Sequence, residues 1–321
     1  MTDNIYNSEL VSKPEINEDE LFVRVENDMS SSEKIDAPAY SYWRSVFRSF
    51  FRKPSNIIAL VFLFIIIGLA YIQPLFSGFV RMGNILGEKN IPPFQSFEHI
   101  FGTDGFGDDL FDLTWVGTRF SLSLAIVATT ITMVAGILVG ALWGYSKFFD
   151  KIFTELYNII ANVPGLVVTI IIVYAIGNSF WDMVLAFTCT GWLGIGYSFR
   201  TQVIIIRDRD YNLASRCLGT STFRMITHNI LPFLVSIIVT YVSNYLPSFI
   251  GQEVFLSYIK VAMDKSNPSL GAAIQEGIAK INDPSQAHIF WIPVAVSAIV
   301  TITLYVSGQG LADASDPRNH R

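Results

Sequence analysis

Few residues of this chain can do chemistry, and their spacing excludes more than it offers. The four histidines, His99, His228, His288 and His320, are scattered. The two cysteines, Cys189 and Cys217, are too few for a disulfide framework and lack metal-ligand spacing. No phosphate-binding G-x-x-x-x-G-K-[ST] loop occurs, nor an H-E-x-x-H, G-x-S-x-G or Cys-x-x-Cys motif. A chain so equipped binds no nucleotide in that way, so any uphill movement must draw its energy from another protein. The remaining polar chemistry lies inside apolar runs. Ser236, Thr240 and Asn244 are spaced by four with Ser243 nearby, and Asn158 and Asn162 share that spacing. Such groups either line a water-accessible path or hydrogen-bond between helices. Glu253 is an acid within an apolar run, where an ionisable group is a functional candidate unless it sits at the membrane interface. Asn158, Asn162, Ser236, Thr240, Asn244 and Glu253 are therefore the candidates for a translocation path.

The elements that must position these residues are membrane spans. The 321-residue chain is 51% hydrophobic and only 15% charged, too apolar for an ordinary soluble domain. Several runs reach the roughly 20 apolar residues that cross a bilayer. Six spans are expected, at about 56–76, 117–144, 152–176, 182–206, 231–255 and 290–311, giving an all-α integral membrane protein. Arg44, Arg48, Arg52 and Lys53 precede the first span, Lys147 and Lys151 follow the second, and Arg200 near the end of the fourth is followed by Arg207, Arg209, Arg216 and Arg224 beyond it. The region after the first span is acidic instead. The positive-inside rule then sets both termini in the cytoplasm, with external loops at about 77–116 and 256–289 and a cytoplasmic loop at about 207–230.

Ahead of the spans, Trp43, Val46, Phe47, Phe50 and Phe51 recur at helical spacing while Arg44, Arg48 and Arg52 step by four on another face. That pattern predicts an amphipathic interfacial helix within 40–55. Residues 1–39 hold ten acids against Lys13, Arg24 and Lys34, with no apolar core and no signal-peptide pattern. They read as a disordered or loosely docked cytoplasmic tail, and residues 312–321 as a second, short one. Gly136, Gly140 and Gly144 share one face of the second span, a close-packing signal. Pro164, Pro247 and Pro293 are expected to kink the third, fifth and sixth spans.

One basic stretch, "YNLASRCLGTSTFRMITHNILP" (211–232), interrupts this apolar chain. Leu213, Ala214, Cys217 and Leu218 fall on one face of a short helix, and Gly219 stands where a helix end needs a positive φ. Ser221 is placed to N-cap a second short helix with Phe223, Ile226 and Ile230 on its apolar face. Two helices meeting at a glycine elbow, with apolar residues in a basic frame, form a docking knob. Burying Leu213 and Leu218 in a partner groove is worth about 1.5–3 kcal/mol each.

This stretch resembles the cytoplasmic coupling motif of ABC-importer permeases, in which E-A-A is followed after three residues by G and after ten more by I-L-P. Ala214, Ser215, Gly219, Ile230, Leu231 and Pro232 match in position, with Ser215 in place of the second alanine and Leu213 where the family often has glutamate. "FGTDGFGDDLF" (101–111) resembles the external G-T-D-x-x-G-R-D segment of C-type dipeptide and oligopeptide permeases, with Asp108 replacing the arginine. "NPSLG" (267–271), "GLADASDPR" (310–318) and "DAPAYSYW" (36–43) extend the likeness to the oligopeptide (Opp/Ami-type) permeases of Gram-positive bacteria.

The resemblance implies a type I ABC-importer permease fold in the cell membrane, without catalysis of its own. Leu213, Ala214, Ser215, Arg216, Leu218, Gly219 and Ser221 would couple to an ATPase. It further implies a homologous B-type permease and two cytoplasmic ATPase subunits that bind ATP and magnesium, so that this chain needs no cofactor. An external peptide-binding lipoprotein would deliver an oligopeptide, and membrane lipid would surround the chain, with no nucleic acid involved. Import of another solute (nickel, glutathione or a glycan) is the alternative within the family; a membrane scaffold or receptor is the alternative outside it.

Overall fold

The computed structural model describes residues 41–79, 89–95, 97–261 and 268–316, and every regular element among them is a helix. The acidic tail expected over 1–39 lies outside the described residues, as do residues 317–321 of the closing tail, whose first residues are part of the last helix. The helices are α1 (Tyr42–Arg52), α2 (Pro54–Tyr71), α3 (Gln73–Ser77), α4 (Leu110–Tyr145), α5 (Lys147–Ile160), α6 (Gly165–Ile176), α7 (Phe180–Arg207), α8 (Asp210–Cys217), α9 (Thr222–Arg224), α10 (Val235–Tyr258), α11 (Leu270–Gly277) and α12 (His288–Ser315).

The centre is the α4–α7 pair, which runs parallel because α5 and α6 form the crossover between them. Glycines make the approach possible. A methyl group on Gly136 would lie 2.6 Å from Ile195, one on Gly140 2.5 Å from the Gly196 carbonyl, and one on Gly144 2.6 Å from the Arg200 carbonyl. All three α4 glycines are buried, as the stripe of small residues predicts. Two apolar cores are strung along this pair. One gathers Trp115, Leu124, Phe187, Phe249 and Leu270; the other gathers Met133, Phe199, Met225, Ile230 and Leu234 toward the α8 end.

Among the described residues, four helical stretches are long and apolar enough to cross a membrane: Pro54–Ser77, Leu110–Tyr145, Thr222–Tyr258 and His288–Ser315. The third expected span is broken, since α5 and α6 meet at 84° and form a fifth crossing only if counted together. Pro164 does more than kink this segment: it stands at the N-cap of α6 with extended ψ, and the helix restarts after it. Length and apolarity alone therefore account for four of the six expected spans, or five with the bent pair. At ~1.5 Å per residue α7 is long enough, but Asp182, Arg200, Arg207, three glycines and several hydroxyls dilute its apolarity. One face of it packs on α4, where contact with protein replaces contact with lipid.

The amphipathic segment forms as α1. Val46 and Phe50 are buried with Ala314 and Leu311 of α12, while Trp43, Phe47 and Phe51 stay exposed. The end of α12 fastens the α1–α2 corner: Lys53 pairs with Asp313 at 3.0 Å, the Tyr42 hydroxyl donates to the Ser315 carbonyl at 2.8 Å, and Gly310 leaves room for the Asn56 amide. These contacts give the "GLADAS" residues a packing role. Because α12 begins beside the start of α4, with Ile289 packed near Leu110 and Leu113, its C-terminus lies at the other end of the bundle. The basic helix α1 and the α8 stretch thus share one end.

Candidate functional site

The 211–232 stretch builds a rigid base under an exposed tip. Arg207 donates through Nη1 to the Gly144 carbonyl at 2.9 Å, placing a cation on the last carbonyls of α4, and grips Asp208 through Nε (2.8 Å) and Nη2 (2.9 Å). The guanidinium holds the Asp208 carboxyl below the usual carboxylate range. Asn212, fully buried, donates to the Ile206 carbonyl at 2.8 Å, and Asn229 donates to Asn212 Oδ1 at 3.2 Å. Arg216 lies over the Tyr145 ring at 5.6 Å.

The end of α8 is a Schellman motif. Thr220 N–H donates to the Ser215 carbonyl and Gly219 N–H to the Arg216 carbonyl, while Gly219 adopts φ +83°. The Ser215 and Thr220 hydroxyls close the loop at 2.9 Å. The tip is apolar: Leu213 is 43% and Leu218 87% exposed, and Ala214 and Cys217 are exposed beside them. The coupling candidates Leu213, Ala214, Ser215, Arg216, Leu218 and Gly219 therefore occur on one short helix and its cap.

Two details depart from expectation. Ser221 occupies the N-cap position with extended backbone, but its side chain makes no capping hydrogen bond. The second helix is only the single turn α9, followed by a π-helical turn (Met225–Ile230) and a 3-10 turn (Leu231–Leu234). Pro232, without an N–H, disrupts the i→i−4 ladder here. Phe223 accordingly points outward at 77% exposure, and the buried anchors are Met225, Ile226, Ile230 and Leu234. Sequence reasoning missed Asn212 and Asn229, whose inward orientation had no periodic signal.

The path candidates fall into separate settings. Thr240 donates to the Ser236 carbonyl and Asn244 to the Thr240 carbonyl, each within α10. Gln309 of α12 donates to Asn244 Oδ1 at 3.0 Å; a glutamine in an apolar helix is the signal that could have identified it. Asn162, just past α5, bonds back to the Asn158 carbonyl, and both are exposed. Glu253 differs. It is fully buried, accepting from Ser121 of α4 (2.7 Å) and from Ser257 of α10 (3.0 Å). Leu270 N–H in turn donates to Ser121 at 3.2 Å. A methyl on Gly271 would meet Glu253 Oε1 at 2.8 Å. Within this chain Glu253 ties α4, α10 and α11 together.

The 101–111 segment also has a structural role. Asp104 accepts from Phe106 (2.8 Å) and Asp108 (2.9 Å) N–H groups, Gly102 and Gly107 take positive φ, and Asp109 N-caps α4 while contacting His99 at 2.6 Å.

With this geometry in view, comparison with known proteins is decisive. Residues 132–321 match the family described as binding-protein-dependent transport system inner membrane component. The chain belongs to that family. Its residues 41–93 match the N-terminal TM domain of oligopeptide transport permease C. It is 44% identical over 306 residues, 94% of this chain and 98% of the relative, to the oligopeptide transport system permease protein AmiD of Streptococcus pneumoniae. It is 31% identical to the dipeptide transport system permease protein DppC of Bacillus subtilis, covering 94% of each. Among solved structures, a chain of the inward-facing MetNI methionine ABC transporter matches 64% of this chain and 96% of its own length, at 15% identity and a TM-score of 0.49. The chain is thus an ABC-transporter permease, a membrane protein of the binding-protein-dependent class.

Proposed function

We propose that this permease is the C-type subunit of an ATP-driven oligopeptide importer and forms half of its translocation path. It would pair with a homologous B-type permease, two ATPase subunits and an external peptide-binding lipoprotein in the cell membrane. The observation that carries the coupling role is the exposed Leu213–Leu218 tip on a base fixed by Asn212 and Arg207. A rigidly based apolar tip suits a groove on an ATPase subunit. There the α8 end would follow closure of the ATPase pair, and α7, joined to α8 by the two-residue corner Asp208–Arg209 and by the Asn212 bond to the Ile206 carbonyl, would carry the movement into the bundle. The oligopeptide assignment rests on the names of the relatives and on their coverage of nearly the whole chain. ATP and its magnesium would be held by the ATPase subunits, and the work of this chain is to dock, rock and line the path. Asn158, Asn162, Ser236, Thr240 and Asn244 remain the proposed lining, joined by Gln309.

The test is co-purification. Leu213→Arg and Leu218→Arg should insert normally yet retain less than a tenth of the ATPase, since each forfeits about 1.5–3 kcal/mol of burial and brings a charge into the groove. Undiminished ATPase recovery would sink the docking role. Peptide-stimulated ATP hydrolysis by the reconstituted complex tests the substrate class, and stimulation by a non-peptide solute alone would overturn it.

A further inference from the structure

We propose that the groove between α1, α2, α10 and α12 is a site for one anionic phospholipid, with an acyl chain inside and the phosphate on the α1 arginines. The groove has a volume of about 430 Å³ and its walls include Phe47 and Phe51 of α1, Leu63 of α2, Val242 of α10 and Leu304 and Leu311 of α12. That size is typical of small-ligand sites. Helical geometry puts a cation at its mouth. At 100° per residue, Phe47 and Phe51 form the stripe next to Arg44, Arg48 and Arg52, and all three arginines are exposed. An acyl chain lying against the phenylalanines therefore has its headgroup beside guanidinium groups, which bind phosphate oxygens as a fork. One polar group inside the groove supports this polarity. Ser307 is 8% exposed, lines the groove, and its hydroxyl has no hydrogen-bond partner. It lies one helical turn deeper than Leu311, the depth of a lipid ester below its phosphate, and can donate to an ester carbonyl. Because α1 shares an end with α8, the bound headgroup belongs to the leaflet that faces the coupling helix.

The full-length chain, embedded in nanodiscs of equal phosphatidylglycerol and phosphatidylcholine with matched acyl chains and then extracted into mild detergent, should retain phosphatidylglycerol preferentially by native mass spectrometry. Arg48→Gln/Arg52→Gln should cut that preference by about tenfold, as expected for two arginines near an anionic headgroup. Val242→Trp, which fills the groove, should lose the retained lipid. Equal retention of the two lipids by the wild type, or an unchanged preference in the arginine variant, overturns the proposal. Val242→Cys carrying a small fluorophore reads the same wall without blocking it. Stronger quenching by brominated phosphatidylglycerol than by brominated phosphatidylcholine supports the site. Equal quenching, or cross-linking of this cysteine to another protein chain, removes it.

Discussion

Gly219 shows how one residue sets the direction of a surface. Its φ of +83° turns the chain out of α8, and a side chain added there would meet nothing within 4 Å. Any penalty on substitution is therefore one of backbone conformation. Gly219→Val should cost about 1–2 kcal/mol and loosen the elbow, whereas Gly219→Asn, which tolerates the left-handed region, should cost much less. Peptide uptake per ATP hydrolysed in vesicles distinguishes them: the valine variant should hydrolyse with reduced uptake and the asparagine variant should stay near wild type. Equal coupling in both variants would remove the elbow from the coupling scheme. Leu213 shows the same economy in chemical terms. In the proposed docking its contact would be made by apolar area, and should be less sensitive to salt than a carboxylate contact.

At the scale of elements, the α4–α7 seam is the most tightly specified contact. Gly140→Leu would drive a side chain into the Gly196 carbonyl and Phe199, which lie 2.5 and 2.7 Å from the position of its Cβ. A destabilisation of about 1–3 kcal/mol is expected, visible as a lower melting temperature in detergent, while Gly68→Leu, with open space around it, should leave melting unchanged. Similar melting of both variants would count against the seam. The seam was legible in the sequence because small residues at a spacing of four have one physical use in lipid. The amphipathic α1 and the α8 elbow were legible for similar reasons, through a stripe pattern and a required backbone conformation. The 84° break was only half legible: Pro164 announces a disturbance, but whether a helix bends or restarts depends on what its two halves pack against. α7 falls short of the apolarity of the other long helices, because composition reports contact with lipid, and the face of α7 packed on α4 can be polar. Glu253 was noticed for its charge, yet its partners Ser121 and Ser257 depend on helices meeting across the fold.

Over the whole molecule, α7 links the two apolar cores and meets α8 at the tight corner Asp208–Arg209. If the pair moves as one lever, a displacement at the tip reaches the bundle undiminished. The two native cysteines report on this, because Cys189 on α7 and Cys217 on α8 are both exposed. Spin labels on them should keep one separation, within about 5 Å or one helical pitch, between nucleotide-free and ATP-trapped complexes. A larger change would mean that the tip swivels on its base and that α7 does not transmit the stroke.

The buried tie at Glu253 bears on how the protein is made. A bare acid within a membrane span is costly to insert, and synthesis delivers the chain from its N-terminus. Ser121 belongs to a helix made well before α10, and Ser257 travels one turn behind Glu253 on the same helix. The carboxyl therefore enters the membrane with one hydroxyl already beside it and a second waiting on a finished helix. Leu270 and Gly271 arrive afterwards and close over it. The order of the residues along the chain is thus an order of assembly in which each newly made segment covers the polar group left by the one before.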